Sequence, residues 1–290
     1  MSILIAGFGD LGQQIYRQWR LESHGLSGPV LALRRHHVQA STVDTGLVRT
    51  TADLCKPQSL TQLPDDITHV VYCAGSPQSD EQSYRDTYVT GLANLIRHLS
   101  QQTNPPRLVF VSSTSVYGKG LDGWVDENTA TEPTGFNGRI MLEAEQLVTE
   151  QCSSSAILRL SGIYGSARHH LLNRLVRGTV TIPDTPGYWA NRIHIEDAAR
   201  ACLHFLSHEE LTGPYIVSDS TPLDIRDLYR WLAKEIGAPE PNSAPPTLSL
   251  GRKRLSNKKL IATGFELRWP DSRAGYAEII EEYLAGKKQA

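Results

Sequence analysis

The run Ile3-Leu4-Ile5-Ala6-Gly7-Phe8-Gly9-Asp10-Leu11-Gly12 constrains this chain more than any other stretch of it. A short apolar segment leads straight into Gly-x-Gly-x-x-Gly. Apolar positions at Leu11, Ile15 and Trp19 then follow at helical spacing. Strand, glycine turn and amphipathic helix in that order predict the opening unit of a dinucleotide-binding sheet. Gly7 permits the tight turn out of the strand, Gly9 lets the backbone approach a pyrophosphate, and Gly12 lets the helix pack closely on the strand. The phosphates would rest on the unpaired N–H groups where the helix begins, so Gly7, Phe8, Gly9, Asp10, Leu11 and Gly12 form the expected cradle.

The next apolar run, Val30-Leu31-Ala32-Leu33, ends in Arg34-Arg35. A chain that grips the ribose 2′-OH of NAD carries Asp or Glu about 20 residues past the glycines. Arginines stand there instead. A guanidinium hydrogen-bonds a 2′-phosphate and stacks on adenine, so Arg34 and Arg35 predict NADP in preference to NAD.

Beyond this point strand and helix patterns alternate. Strands are expected at 2–6, 30–34, 46–50, 68–73, 107–112 and 155–160, and helices at 10–22, 56–63, 80–101 and 138–150. The alternation predicts an α/β fold, a doubly wound parallel sheet of the Rossmann type. After residue 165 prolines break the pattern into short elements, which predicts a small C-terminal substrate lobe. The expected division is 1–165 for the dinucleotide-binding domain and mainly 166–290 for the lobe, with parts of later segments returning to the first. Ligands of such sheets bind past the carboxyl ends of the strands. That rule selects Asp53, Cys73, Ala74, Gly75 and the stretch Ser112–Tyr117 as further candidates.

Composition narrows the classes. A formal net charge of −2 gives no electrostatic basis for binding nucleic acid or an anionic membrane. No apolar run approaches the roughly 18 residues that a spanning helix needs. Four scattered cysteines without a Cys-x-x-Cys pair fit a reduced, cytoplasmic protein, and no metal-ligand spacing is evident. A small-molecule substrate is the expected partner, for a monomer or a homodimer.

Several ordered motifs together resemble the extended short-chain dehydrogenase/reductases, the NAD(P)-dependent epimerase/dehydratase family. They are the glycine fingerprint, Asp53-Leu54, Cys73-Ala74-Gly75, Val111-Ser112-Ser113-Thr114-Ser115-Val116-Tyr117-Gly118, Leu158-Arg159-Leu160-Ser161-Gly162-Ile163-Tyr164-Gly165, Arg192-Ile193-His194-Ile195-Glu196-Asp197 and the closing stretch 258–265. The resemblance implies that Asp53 contacts adenine, that Cys73-Ala74-Gly75 lies beside the cofactor and that Ser113 hydrogen-bonds the reacting oxygen of the substrate. A strand-end cap is the alternative use of Ser113.

The chain departs from the family where catalysis is concentrated. The family needs Tyr-x-x-x-Lys on the helix after the fifth strand, a lysine ammonium lowering the pKa of a tyrosine that then works as acid or base. Here Asn137 takes the tyrosine position and Met141 the lysine position, and neither group can titrate in that role. The resemblance is therefore to the atypical subgroup. Tyr117 and Tyr164 are the remaining candidates for handling a proton, against aromatic packing as their other use. Asn137, Arg139, Arg192 and His194 are candidates for the substrate side, with Trp189 and Asn191 beside them. Two readings stay open. One is an NADP-dependent oxidoreductase or epimerase acting on a sugar-like or small carbonyl substrate by a non-standard site. The other is a catalytically inactive NADP(H)-binding sensor or regulatory protein.

Overall fold

The computed structural model describes residues 2–22, 25–36, 46–165, 168–246 and 251–288. The chain forms two compact units that interleave along the sequence. One comprises Met1–Val116, Thr131–Arg159 and Ala199–Tyr215, and the other Tyr117–Ala130, Leu160–Ala198 and Ile216–Ala290.

The first unit is built on a seven-stranded sheet. Its strands are β1 (Ser2–Ala6), β2 (Val30–Arg34), β3 (Leu47–Thr51), β4 (Ile67–Tyr72), β5 (Arg107–Ser113), β6 (Ser155–Leu160) and β7 (Gly213–Val217), in the order β7-β6-β5-β4-β1-β2-β3. The pairs β1–β2, β2–β3, β1–β4 and β4–β5 are parallel. Every residue of β1 and of β6 is buried, as the near-continuous apolar sequence of a strand covered on both faces requires. Strand order reverses between β1 and β4, which opens a crevice at their carboxyl ends.

Helix α1 (Asp10–Leu21) follows β1 after Gly7-Phe8-Gly9 and buries Leu11, Ile15 and Tyr16. Its N-cap, Gly9, offers no side-chain acceptor, so nothing from the cap competes for the first-turn N–H groups. The helix expected over 80–101 divides into α2 (Glu81–Arg85), a π-helical turn (Asp86–Gly91) and α3 (Leu92–Leu99). The buried Tyr72 hydroxyl donates to the Thr87 carbonyl oxygen at 2.5 Å, and that carbonyl sits within the widened turn. The segment expected as helix over 56–63 is a 3-10 helix, Pro57–Gln62.

Helix α4 (Phe136–Gln151) packs on β5 at close range. A Cβ on Gly138 would overlap the Ser115 carbonyl oxygen. Behind it, the buried Glu145 accepts from Ser112 Oγ at 2.5 Å and pairs with Arg159 Nη2 at 2.6 Å. Helix α5 comprises Ile195–Ser207. The buried Arg107 guanidinium donates to the carbonyl oxygen of Phe205 in the last turn of α5 and to those of His208 and Leu211 just beyond it.

The second unit combines short strands with the helices Ile225–Glu235 and Ser272–Lys288. Its core includes Tyr164, Leu172, Leu175, Ile225, Leu228, Leu232, Tyr276 and Ile279. The strand Asp122–Val125 pairs in parallel with Arg252–Leu255, and Gly162–Tyr164 with Arg192–His194. Among the described residues no helix is long and apolar enough to cross a membrane.

Candidate nucleotide-binding site

A cavity of about 670 Å³ lies in the first unit at the switch point of the sheet. Of the residues that the sequence nominates for a nucleotide, Gly7, Phe8, Gly9, Asp10, Arg34, Arg35, Leu54, Cys73, Ala74 and Gly75 line it. Gly12 and the buried Leu11 lie outside its wall. Asp53 does not line it either. Its carboxylate accepts from the Cys55 amide at 3.1 Å and lies 3.8 Å from Lys56 Nζ, so it braces its own turn.

The three glycines divide by what surrounds them. Gly7 has φ +106, and a Cβ there would overlap the Ala74 backbone. A Cβ on Gly12 would lie 2.5 Å from the Gly7 carbonyl oxygen. These two glycines are required by the fold itself. A Cβ on Gly9 would meet nothing within 4 Å, although Gly9 lines the cavity. The fold leaves that space free beside the start of α1, where a pyrophosphate would be cradled.

The Cys73 thiol donates to the Gly7 carbonyl oxygen at 3.2 Å and ties β4 to the loop. Burial pushes its pKa up to about 12, so it is a packing group and not a thiolate. Arg34 carries its guanidinium 5.5 Å from the centre of the Phe8 ring, and its Nε is buried without a hydrogen-bond partner. An orphaned cationic donor in the wall fits an anionic ligand. Gln13, His36, Cys55, Ser76 and Thr87 also line the cavity and were not singled out from sequence. Gln13 was the most accessible of them to sequence reasoning, one helical turn past Gly9.

The catalytic candidates are placed as follows. Ser113 is half-buried and its Oγ accepts from the Ser115 amide at 3.1 Å, closing the turn that follows β5. Asn137 sits in the first turn of α4 with Oδ1 directed back over Gly135. Met141 is buried on the same helix, in core packing. Arg139 is exposed and donates to the Thr134 carbonyl oxygen at 3.2 Å.

The remaining candidates belong to the second unit. Tyr117 is buried. Tyr164 is buried too, stacked on Tyr276 with ring centres 4.5 Å apart, and its hydroxyl has no hydrogen-bond partner. Burial and the nearby Asp219 push its pKa upward. His194 packs against Trp269, ring centres 3.8 Å apart, and against Tyr164 at 5.1 Å. Its Nδ1 accepts from the Glu196 amide at 3.3 Å, and burial lowers its pKa to about 4. It is thus neutral at physiological pH. Asp197 accepts from the amides of Arg268 and Trp269, which pins the segment carrying the Trp269 ring. Arg192 donates to the Tyr229 hydroxyl at 3.4 Å. Asn191 spends both ends of its amide on backbone, donating to the Lys253 carbonyl oxygen and accepting from the Leu255 amide.

Asp219 is the most perturbed acid of this unit. Its carboxyl is buried without a well-formed hydrogen bond, and burial raises its pKa to about 8. A raised folded pKa stabilises below the unfolded value near 4, and that contribution fades as pH rises toward 8. His194 acts in the opposite sense, its contribution fading as pH falls from about 6.5 to 4. Above about pH 6.5 the His194 contribution is constant, while that of Asp219 still falls. Asp219→Asn is therefore expected to reduce the loss of stability between pH 6.5 and 8, an effect of about 1–2 kcal/mol. Thermal melts of both chains at the two pH values check this; parallel losses would contradict it.

With this geometry in place, comparison with known proteins is direct. The model of the NAD dependent epimerase/dehydratase family matches residues 3–217. The chain belongs to that family. Protein YeeZ of Escherichia coli (strain K12) is 30% identical over 284 residues, 93% of this chain and 97% of YeeZ. A 2-alkyl-3-oxoalkanoate reductase of Stenotrophomonas maltophilia is 26% identical over 268 residues, 84% of this chain and 78% of the reductase. A solved chain from Methylobacillus flagellatus, described among the NAD-dependent epimerase/dehydratases, is 36% identical. It superposes with a TM-score of 0.74 over 99% of this chain and 98% of its own.

Proposed function

We propose that this family member binds NADP(H) in the first unit and uses it on a small carbonyl or sugar-like substrate through a non-standard active site. The observation that carries the reading is the pair of arginines at the end of β2. Both line the cavity, Arg34 holds a buried donor without an acceptor, and Asp10 is the acidic residue of the wall. Gly9 and the start of α1 would hold the pyrophosphate, Arg34 and Arg35 the 2′-phosphate, and Ala74-Gly75 the flank of the cofactor. When bound, NADP(H) supplies the hydride chemistry. The likeness to a reductase named for an oxoalkanoate supports a carbonyl substrate. Ser113 would orient the substrate oxygen once its hydroxyl turns from the Ser115 amide.

Fluorescence titration with NADPH and NADH, on this chain and on Arg34→Ala, tests the reading. NADPH is expected to bind more tightly than NADH. The substitution is expected to weaken NADPH about 30-fold, or about 2 kcal/mol, and to leave NADH nearly unchanged. Equal affinities for the two nucleotides would overturn the preference for NADP.

A second reading, an NADP(H) sensor without turnover, is favoured by one observation. Met141, which the family resemblance aligns with its lysine as it aligns Asn137 with its tyrosine, is buried in the core. Incubation of the NADPH complex with a panel of carbonyl compounds separates the two. Oxidation of bound NADPH identifies an enzyme, whereas binding without oxidation across the panel identifies a sensor.

A further inference from the structure

Among the tyrosines of the first unit, Tyr16, Tyr72 and Tyr215 are buried, which leaves Tyr84 and Tyr88 half-buried. Neither was singled out from sequence, since both lie in a stretch that reads as one unbroken helix. The widened turn Asp86–Gly91 sets Tyr88 apart. Two donors from outside the helix hold that turn open. Cys55 Sγ donates to the Asp86 carbonyl oxygen at 3.3 Å, as the Tyr72 hydroxyl does to that of Thr87. An extra residue in a helical turn re-aims the side chains beside it, and such turns are frequent at functional sites.

Thr87 lines the nucleotide cavity, and so does Ser76 just past β4. The Ser76 amide is turned toward the Tyr88 oxygen. The phenol is thus held beside that wall as an acceptor and keeps its own proton to donate. Ser76 is fixed in turn, its Oγ hydrogen-bonded to Ser83 Oγ at 2.8 Å. The Tyr88 ring packs on Tyr84 with centres 5.3 Å apart, and Tyr84 meets Phe136 edge-on at 5.5 Å. Phe136 opens α4 immediately before Asn137, so this aromatic bracket ties Tyr88 to the helix turn where the family's tyrosine is replaced.

Position along the sheet agrees. β4 lies on one side of β1 and β2 on the other. A dinucleotide that spans the switch point with its 2′-phosphate at Arg34 and Arg35 carries its reacting ring on the β4 side.

On the reading of a carbonyl-reducing NADP(H) site, on which this inference rests, we infer that Tyr88 is the proton donor of the reaction. Tyr88 gives its phenol proton to the carbonyl oxygen as the carbonyl carbon receives the hydride of NADPH. The products are the alcohol, NADP⁺ and a phenolate, which regains its proton from water. The surroundings of Tyr88 suit this direction. Lys56 is the one lysine in the sequence of the first unit, and it is exposed and pairs with Asp53 at 3.8 Å. Burial and the neighbouring Tyr84 raise the Tyr88 pKa, and the Ser76 amide offsets the rise only in part. Tyr88 therefore holds its proton throughout the neutral range, ready to donate it to a nascent alkoxide.

Tyr88→Phe keeps the ring and removes the proton. Its NADPH affinity is expected to stay within about two-fold of the parent chain and its melting profile to be unchanged. Its kcat for oxidation of NADPH by the carbonyl panel is expected to fall at least about 100-fold. The parent rate is expected to be level between about pH 6 and 9, because no donor in the site titrates there. With carbon-13 at the tyrosine Cζ, the resonance missing from Tyr88→Phe is expected to shift when NADP⁺ is added to the parent chain. Parent turnover that Tyr88→Phe keeps above about a tenth overturns this inference alone. Loss of NADPH affinity in step with kcat makes Tyr88 a binding group and overturns it too, as does a resonance indifferent to bound NADP⁺. If NADPH binds and no carbonyl oxidises it, the reduction reading fails and the inference with it. Should Tyr88→Phe lose its fold, the parent pH profile decides, since a rate that falls with a midpoint near neutrality assigns the proton to another group.

Discussion

Glu145→Ala is expected to destabilise the chain by about 3–5 kcal/mol, among the largest losses available to a single substitution here. The reason lies in what alanine would leave behind. Arg159 Nε and Nη2 both reach the Glu145 carboxylate, and the two side chains are only 7% and 5% exposed. Without Glu145 a buried guanidinium loses its counter-charge, and the Ser112 hydroxyl loses its acceptor at the same time. The damage is not confined to a helix. Ser112 precedes Ser113 at the end of β5, and Glu145 ties that strand end to α4, the helix bearing Asn137 and Arg139. Glu145→Gln keeps an acceptor for Ser112 and loses the charge, so a smaller loss is expected. The double replacement Glu145→Leu with Arg159→Met removes both charges and is expected to recover much of the stability. Urea denaturation of the three variants checks the series. A loss under about 1 kcal/mol for Glu145→Ala would show that water reaches Arg159 in solution.

The parts of the molecule that were legible from sequence are those whose cause is local. Strand β1, its glycine turn and α1 follow from adjacent residues, an apolar run, a backbone that must turn sharply and a helical stripe. The gapless apolar run of β5 reads as a strand covered on both faces for the same reason. The strand Asp122–Val125 was not legible, because nothing in Asp-Gly-Trp-Val marks a strand until Arg252–Leu255 lies beside it. The π-helical turn at Asp86–Gly91 was hidden in an otherwise helical pattern, since it goes with a tyrosine from β4.

The candidate site divides along the same line. The cradle was legible because glycines carry their reason with them. The roles weighed for Tyr164 and His194 were not, since their surroundings come from Tyr276 and Trp269, far along the chain. Asp53 fits a motif by position, and the fold adds a second use, its carboxylate accepting from the Cys55 amide of its own turn. A motif specifies where a residue stands in the chain; what it does there is decided by partners that only the fold supplies.

Two substitutions within the glycine fingerprint should separate binding from folding most sharply. Gly9→Ala is expected to leave stability almost unchanged and to weaken NADPH by at least 100-fold, about 2.7 kcal/mol. The backbone at Gly9 has φ −82 and ψ −153, a conformation alanine adopts, and the added Cβ touches nothing within 4 Å. Its only effect would be to occupy the space above the start of α1 that the phosphates need. Gly7→Ala is expected to do the reverse in order of cause. Its backbone is at φ +106, and the methyl group would be driven into the Ala74 backbone, which no side-chain movement can relieve. The turn between β1 and α1 would have to give way, with a stability loss of about 3 kcal/mol or more and binding lost as a consequence. Thermal melts set beside NADPH titrations distinguish the two. A Gly9→Ala chain that still binds NADPH tightly would place the nucleotide elsewhere than on this cradle. A Gly9→Ala chain that melts early would mean that the space is needed by the protein itself.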